Sequence, residues 1–144
     1  MDLRALDRLA APHAGVVSRP KLLAAGWTES QVVHAVRAGA LFRIYPGVYR
    51  VAGAQWSRRA AQHAALFAAG EEAHVARWSA AELHGVVEPR NGPVDVVVPH
   101  PRSYRGDADR LLRVSRTRSL PERDRDRRFG LPVSAPARTL MGRP

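Results

Sequence analysis

TESQVVHAVRAG, residues 28–39, has both the start signal and the stop signal of a short helix. Thr28 is a favourable N-cap residue, and Gln31 three positions later completes a capping-box pattern. Gly39 stands where helices commonly end in a left-handed C-cap. The pattern therefore predicts a short helix with well-defined ends.

The two faces of this helix differ in chemistry. At 3.6 residues per turn, Val32, Val33 and Val36 are expected on one side. The opposite side lacks acids and carries groups that can hydrogen-bond to base edges or phosphates: Ser30, Gln31, His34 and Arg37. Such a face is typical of a recognition helix, although many polar helix faces are simply solvated.

The segment before this helix predicts another short helix and a tight turn. Ser18 can cap a helix that has Pro20 in its first turn and continues through residues 21–25. Gly26 then breaks the helix, and Trp27 is expected to be the apolar plug between the two helices. A short helix, a turn containing Gly and a second helix form the helix-turn-helix layout.

The segment after the helix predicts a β-hairpin. Residues 40–45 and 48–51 are apolar and aromatic runs, and Pro46-Gly47 between them is a turn signal. A hairpin directly after the second helix of a helix-turn-helix is a wing. The sequence therefore predicts a winged helix-turn-helix, a module that binds duplex DNA.

The expected DNA contacts come from three parts of this module. The major groove would be read from the second helix, phosphates would be held at the entry of the first helix, and the wing would lie close to the duplex backbone. The residues expected in these roles are Ser30, Gln31, His34 and Arg37 on the second helix, Arg19 and Lys21 on the first, and Arg43, Tyr45 and Arg50 on the wing.

The N-terminal residues complete the module. Leu3, Leu6 and Leu9 have helical spacing, so residues 2–11 are expected to form its first helix. Val16-Val17 is a brief strand that could pair with the wing. We therefore predict an α+β chain with a winged helix-turn-helix DNA-binding domain at residues 1–53 and a small α+β region at residues 54–144.

The second region contains further helix signals. Residues 57–69 predict a helix capped by Ser57, and a second short helix is expected from its cap Ser79 to His84. Trp56 and Trp78 are expected to be core anchors or hydrophobic staples at helix starts.

Strands are predicted at 94–99, 111–116 and 129–134, and a short strand at 73–76 is possible from the same kind of pattern. Residues 100–110 are an Arg-rich polar loop, and residues 118–128 are a mixed charge run expected to be an exposed connection. Arginines in residues 102–128 could grip phosphates or simply be solvated. A final helix is expected to begin at Ser134-Ala135-Pro136.

The charge favours an anionic partner. The chain has a formal net charge of +10, and the excess lies in residues 1–50 and 100–144, around a middle that is close to neutral. Only Lys21 among the basic residues is a lysine, so a GC-rich coding bias explains the choice of arginine. It does not by itself explain the excess over acids.

No constellation of catalytic residues is convincing, so the chain is not expected to be an enzyme or to bind a cofactor. It has no Gly-rich phosphate loop and no Gly-x-Ser-x-Gly elbow. Pro93-Val94-Asp95 resembles the start of a nuclease core but lacks a downstream lysine, so Asp95 is expected to be an exposed strand residue. No metal site is expected, because there is no cysteine and the histidines at 63, 74, 84 and 100 are scattered.

The sequence shows neither a signal peptide nor a membrane-spanning stretch, so no membrane partner and a cytoplasmic location are expected.

Several segments carry a family resemblance. They are GVVSR at 15–19, LLAAGWT at 22–28, AVRAGALFR at 35–43, YPGVYRVAG at 45–53, SAAELHG at 79–85 and LPVSAPARTL at 131–140. With these segments the chain resembles the bacterial AbiEi antitoxins of type IV toxin–antitoxin systems, especially actinobacterial members. The segments are spread over most of the chain, and residues 22–53 are the most specific part.

The resemblance implies a function. In that family the winged module binds inverted repeats in its own promoter and represses a toxin–antitoxin operon. The following region supports antitoxin activity against a nucleotidyltransferase-like toxin without a stable complex. The implied partners are therefore double-stranded promoter DNA and, functionally, such a toxin.

The chain departs from the family near its end. Many actinobacterial relatives carry a C-terminal endonuclease-like domain, whereas this sequence stops just after residues 137–140, ARTL. The second region is therefore expected to be C-terminally truncated. Two alternatives to a regulator remain: a protein-interaction module, and the remnant of a longer protein that has lost an endonuclease-like domain.

Overall fold

The structure, a computed structural model, describes residues 2–99, 112–118 and 120–136. Their helices are α1 (Leu3–Ala10), α2 (Arg19–Ala24), α3 (Glu29–Arg37), α4 (Arg58–Ala69) and α5 (Arg77–Leu83). Their strands are β1 (Val16–Ser18), β2 (Leu41–Tyr45), β3 (Val48–Val51), β4 (His74–Val75), β5 (Val94–Pro99), β6 (Leu112–Thr117), β7 (Arg125–Arg128) and β8 (Leu131–Ser134). Short 3₁₀ turns span Ala11–His13 and Glu122–Asp124. The predicted α+β class is confirmed.

The N-terminal unit (Met1–Ala68) contains a winged helix-turn-helix. Its elements follow the order α1, β1, α2, α3, β2, β3, and the three strands form an antiparallel sheet in the order β1-β3-β2. Val17 of β1 pairs with Tyr49 of β3, as expected for a short strand added to the wing. The helices and the sheet enclose one apolar core that includes Leu6, Leu22, Val32 and Leu41, and Trp27 packs against it as predicted.

Helix α4 belongs almost entirely to this N-terminal unit. Ser57 caps it by accepting a hydrogen bond from the Ala60 N–H at 3.0 Å. The rings of His63 and Phe67 on α4 pack edge-on against His13, with centroids 5.2 and 5.0 Å apart. The division between the two units therefore falls after Ala68, later than the boundary expected between residues 53 and 54.

The C-terminal unit (Ala69–Pro144) is built on a mixed five-stranded sheet in the order β6-β5-β4-β8-β7. Strands β5 and β6 are parallel, as are β4 and β8, while β4–β5 and β7–β8 are antiparallel. The side chains from Val94 to Val98 on β5 are all buried, on both faces of the sheet. This is the burial expected of a strand that has neighbours on either side and is covered on both faces.

Ser79 is not the N-cap of α5, as the sequence had suggested. The helix begins two residues earlier at Arg77, with Ala76 as its cap residue. The buried Ser79 hydroxyl instead accepts a hydrogen bond from the Asp95 N–H at 2.9 Å and lies 3.4 Å from Asp95 Oδ2. Asp95 also accepts a hydrogen bond from Arg113 Nε at 2.8 Å. The expectation of an exposed Asp95 was therefore wrong, because serine and arginine partners satisfy the carboxylate inside the fold.

Two further expectations were wrong in part. The charge run at 118–128 is not only a connection, since its last part forms the edge strand β7. An edge strand tolerates four charged residues because its side chains and one of its backbone edges face solvent. Trp56 is exposed and is not a core anchor, whereas Trp78 is half-buried beneath the Arg90 guanidinium, 4.8 Å from the ring centroid.

Some expectations fall on residues that the structure does not describe. They are the Arg-rich loop at 100–110, His100 and the continuation of the last helix beyond Pro136.

Candidate nucleic-acid interface

Helix α3 starts with the predicted capping box. The Thr28 hydroxyl accepts a hydrogen bond from the Gln31 N–H at 3.1 Å, and Gln31 Oε1 accepts one from the Thr28 N–H at 2.8 Å. These bonds satisfy two donors that a helix start would otherwise leave unpaired. The side-chain carbonyl oxygen of Gln31 is therefore engaged in capping the helix, and only the amide NH₂ group is available to hydrogen-bond to a ligand.

The buried side of α3 is defined by Val32 and Ala35, which are 3% and 0% exposed. At 100° per residue, the direction opposite to them is occupied by Ser30, Val33, His34 and Arg37. All four are exposed. Three of the predicted recognition residues thus lie together on the outward face.

The remaining residues of α3 lie on its flanks or in its first turn. Gln31 is on one flank and Val36 on the other, and the expectation that Val33 and Val36 face inward was wrong, since they are 48% and 36% exposed. Ala35 takes the place in the core that one of the valines had been expected to fill. Sequence reasoning missed Val33 as a surface residue, because a pattern of large apolar residues gives little weight to an alanine.

The entry of α2 holds Arg19 and Lys21 near one another. Arg19 forms an ion pair with Glu29 in the first turn of α3, and both side chains are substantially exposed. Lys21 is exposed, and its ammonium lies 5.8 Å from the centroid of the Phe67 ring on α4. Arg19 can bind a phosphate only if its guanidinium also contacts Glu29 or breaks that ion pair. Lys21 is exposed at the surface.

The wing presents fewer exposed side chains for DNA contact than the sequence suggested. Arg43 is exposed on β2. Tyr45, at the end of β2, is only 6% exposed, so it does not present its ring as a surface contact, as the sequence had suggested. Arg50 is half-buried: Nη1 donates to the Ala54 carbonyl at 2.9 Å, and the guanidinium lies 4.9 Å from the Phe42 ring centroid.

His13, in the turn after α1, and His63, on helix α4, form a histidine pair in the N-terminal unit. Burial lowers the pKa of His63 to about 4, and the nearby His13 and Arg59 lower it further. Burial also lowers the pKa of His13, with a smaller contribution from Lys21. Both rings are therefore neutral at physiological pH and add no positive charge to this unit.

Comparisons with known families cover both units. A family model described as "Transcriptional regulator, AbiEi antitoxin" matches residues 4–52, and one described as "AbiEi antitoxin C-terminal domain" matches residues 73–142. The chain belongs to the AbiEi antitoxin family. Helix α4 lies between the two matched segments. No curated protein matches the chain.

Membership gives the chain the role of an antitoxin regulator in a family of transcriptional regulators. The resemblance inferred from the sequence is thereby confirmed. Within the described ranges, no group of three or more His, Cys, Asp or Glu side chains is arranged to hold a metal ion. No helix in that same part of the chain has both the length and the apolar character needed to cross a membrane.

Proposed function

We propose that this AbiEi-family protein binds duplex DNA in its own promoter through α3 and the wing, and represses the toxin–antitoxin operon that encodes it. The observation that carries the proposal is the outward face of α3. Ser30, His34 and Arg37 lie side by side on a helix whose other side is anchored in the core by Val32 and Ala35. A rigid helix that presents such donors has the form needed to read base edges in the major groove.

The neighbouring cations would hold the protein on the duplex. Lys21 at the start of α2 and Arg43 on β2 are exposed, and they flank α3 in the chain. Contacts to phosphates position a protein without reading the sequence, so these residues would add affinity and salt dependence. Arg19 and Arg50 would contribute after rearranging the contacts that they make with Glu29 and Ala54. Gln31 would add only its amide donor.

The functional counterpart would be a toxin of the nucleotidyltransferase-like class, and the C-terminal unit would be the part that opposes it. The family match over residues 73–142 supports the antitoxin role of this unit, and the class of the toxin is what the resemblance to AbiEi antitoxins implies.

A promoter reporter tests the regulatory proposal. The DNA upstream of the coding sequence is fused to a fluorescent reporter in a host without the operon, and the protein is supplied from an inducible plasmid. Repression that appears on induction, and that is lost when the upstream DNA is scrambled, is the expected result. Unchanged reporter output, with the protein shown to be folded and abundant, would contradict autorepression.

A further inference from the structure

Val33 is an apolar residue at the centre of a polar surface. It is 48% exposed and lies three residues after Ser30 and four before Arg37, on the same side of α3. Side chains at these spacings are neighbours on a helix surface, with Cβ atoms roughly 5–6 Å apart. A molecule bound to the outward face of α3 would therefore also contact Val33.

A valine at this position contributes less to folding than the buried residues of α3. Its exposed surface contributes little hydrophobic stabilisation, and β-branched residues are weaker helix formers than alanine or the long polar side chains. Val32, the neighbouring valine, already fills the core. The apolar group at position 33 is therefore available for contact with a molecule bound at the outward face of α3.

We infer that Val33 reads the 5-methyl group of a thymine in the major groove, next to the base pair that Arg37 contacts. The inference rests on the proposed DNA-binding function and adds the chemistry of one base. Thymine is the base that carries an apolar group on the floor of the major groove, and small apolar side chains recognise it by contact. Arginine most often pairs with guanine, so the face would favour a thymine close to a guanine.

The inference is tested with DNA that lacks only the 5-methyl groups of its thymines. The upstream fragment is amplified once with dTTP and once with dUTP, which leaves base pairing unchanged and deletes every thymine methyl. Binding of both fragments, and of a scrambled fragment, is measured by gel shift for the wild type, Val33→Ala and Val36→Ala. Val36→Ala is the matched control, because it removes the same atoms from a partly exposed valine on the flank of the same helix.

The wild type is expected to bind the dUTP fragment about three- to fivefold more weakly than the dTTP fragment, the effect of losing about one buried methyl contact. Val33→Ala is expected to bind the two fragments equally, and Val36→Ala is expected to keep the wild-type ratio. Thermal melting confirms that both variants fold.

Each other outcome contradicts a definite part of the account. Equal wild-type binding to the two upstream fragments, both tighter than to the scrambled one, would overturn the thymine contact and leave the DNA-binding proposal intact. The assignment to Val33 would be overturned if Val33→Ala still bound the dTTP fragment more tightly than the dUTP fragment. It would also be overturned if Val36→Ala bound the two fragments equally. No preference for the upstream DNA over the scrambled fragment would overturn the DNA-binding proposal itself, and the thymine contact with it.

Discussion

Thr28 and Gln31 cap the first turn of α3 reciprocally, each accepting a hydrogen bond from the backbone N–H of the other, at 3.1 and 2.8 Å. The bonds fix the helix start directly before Ser30, the first residue of the outward face. They also explain why Gln31, which the sequence pattern assigned to base recognition, is instead partly a structural residue.

Replacing Thr28 by alanine should lower the free energy of unfolding by about 1 kcal/mol, because the Gln31 N–H loses its side-chain acceptor. The reciprocal hydrogen bond from the residue 28 N–H to Gln31 Oε1 should weaken as well. Urea unfolding followed by circular dichroism measures the change. Ser30→Ala is the control, since it deletes an exposed hydroxyl from the same turn of the helix and should shift stability by only a few tenths of a kcal/mol. Equal effects of the two substitutions on the free energy of unfolding would mean that the capping box contributes nothing to stability.

Removing the Ser79 hydroxyl should destabilise the C-terminal unit. Ser79→Ala leaves the buried Asp95 N–H without its 2.9 Å acceptor, and an unsatisfied buried donor costs about 1–3 kcal/mol. Thermal unfolding measures the loss.

Ser115→Ala is the matched control for this prediction. The Ser115 hydroxyl donates to the Val96 carbonyl at 3.4 Å from a partly buried position in the same sheet, so its removal should cost less. A Ser79→Ala variant as stable as Ser115→Ala would contradict the role assigned to the Ser79–Asp95 contact.

The buried His63 should make the N-terminal unit less stable in acid. The unfolded chain binds a proton at this imidazole near pH 6.5, whereas burial lowers the folded pKa to about 4. Between these values the unfolded state binds more protons than the folded state. The stability that the neutral imidazole contributes is therefore fully present above about pH 6.5 and is lost as the pH falls toward 4. His13, whose pKa is also lowered, adds to the effect in the same direction.

The size of the His63 contribution should be on the order of 2 kcal/mol between pH 7 and pH 4. It is measured as the difference in pH dependence of urea unfolding between the wild type and His63→Gln. Val33→Ala, which changes an exposed residue of α3 that has no titratable group, is the control and should leave the wild-type pH dependence in place. If His63→Gln loses stability with pH as steeply as the wild type, the buried neutral imidazole is not the cause.

The winged module could be predicted from sequence because its signals are local. The caps at Ser18 and Thr28, the glycines that end helices and the Pro46-Gly47 turn each act within a few residues, and the structure places α2, α3 and the hairpin where these signals indicate. What local signals did not settle was the rotation of α3 about its axis. That rotation depends on Ala35, which packs in the core although its side chain gives a weak hydrophobic signal.

The C-terminal unit was harder to predict because its contacts are distant in sequence. Val75 on β4 pairs with Val133 on β8, and Ser79 contacts Asp95 across a helix–strand junction. A serine before a helical stretch has the same local pattern whether it caps the helix or bonds to a remote strand. Strand β7 has no apolar alternation, and only its pairing with β8 makes it a strand.

The most direct test of the DNA-binding account is the affinity of Arg37→Ala for the upstream DNA. Fluorescence anisotropy would compare it with the wild type and with Arg8→Ala, which removes the same charge from an exposed position on α1. Scrambled DNA of equal length and two salt concentrations separate specific binding from charge attraction. Arg37→Ala should lose about 1–3 kcal/mol of binding to the upstream DNA, while its binding to scrambled DNA should match that of Arg8→Ala. Upstream binding equal for Arg37→Ala and Arg8→Ala would contradict the assignment of the outward face of α3 as the surface that reads DNA.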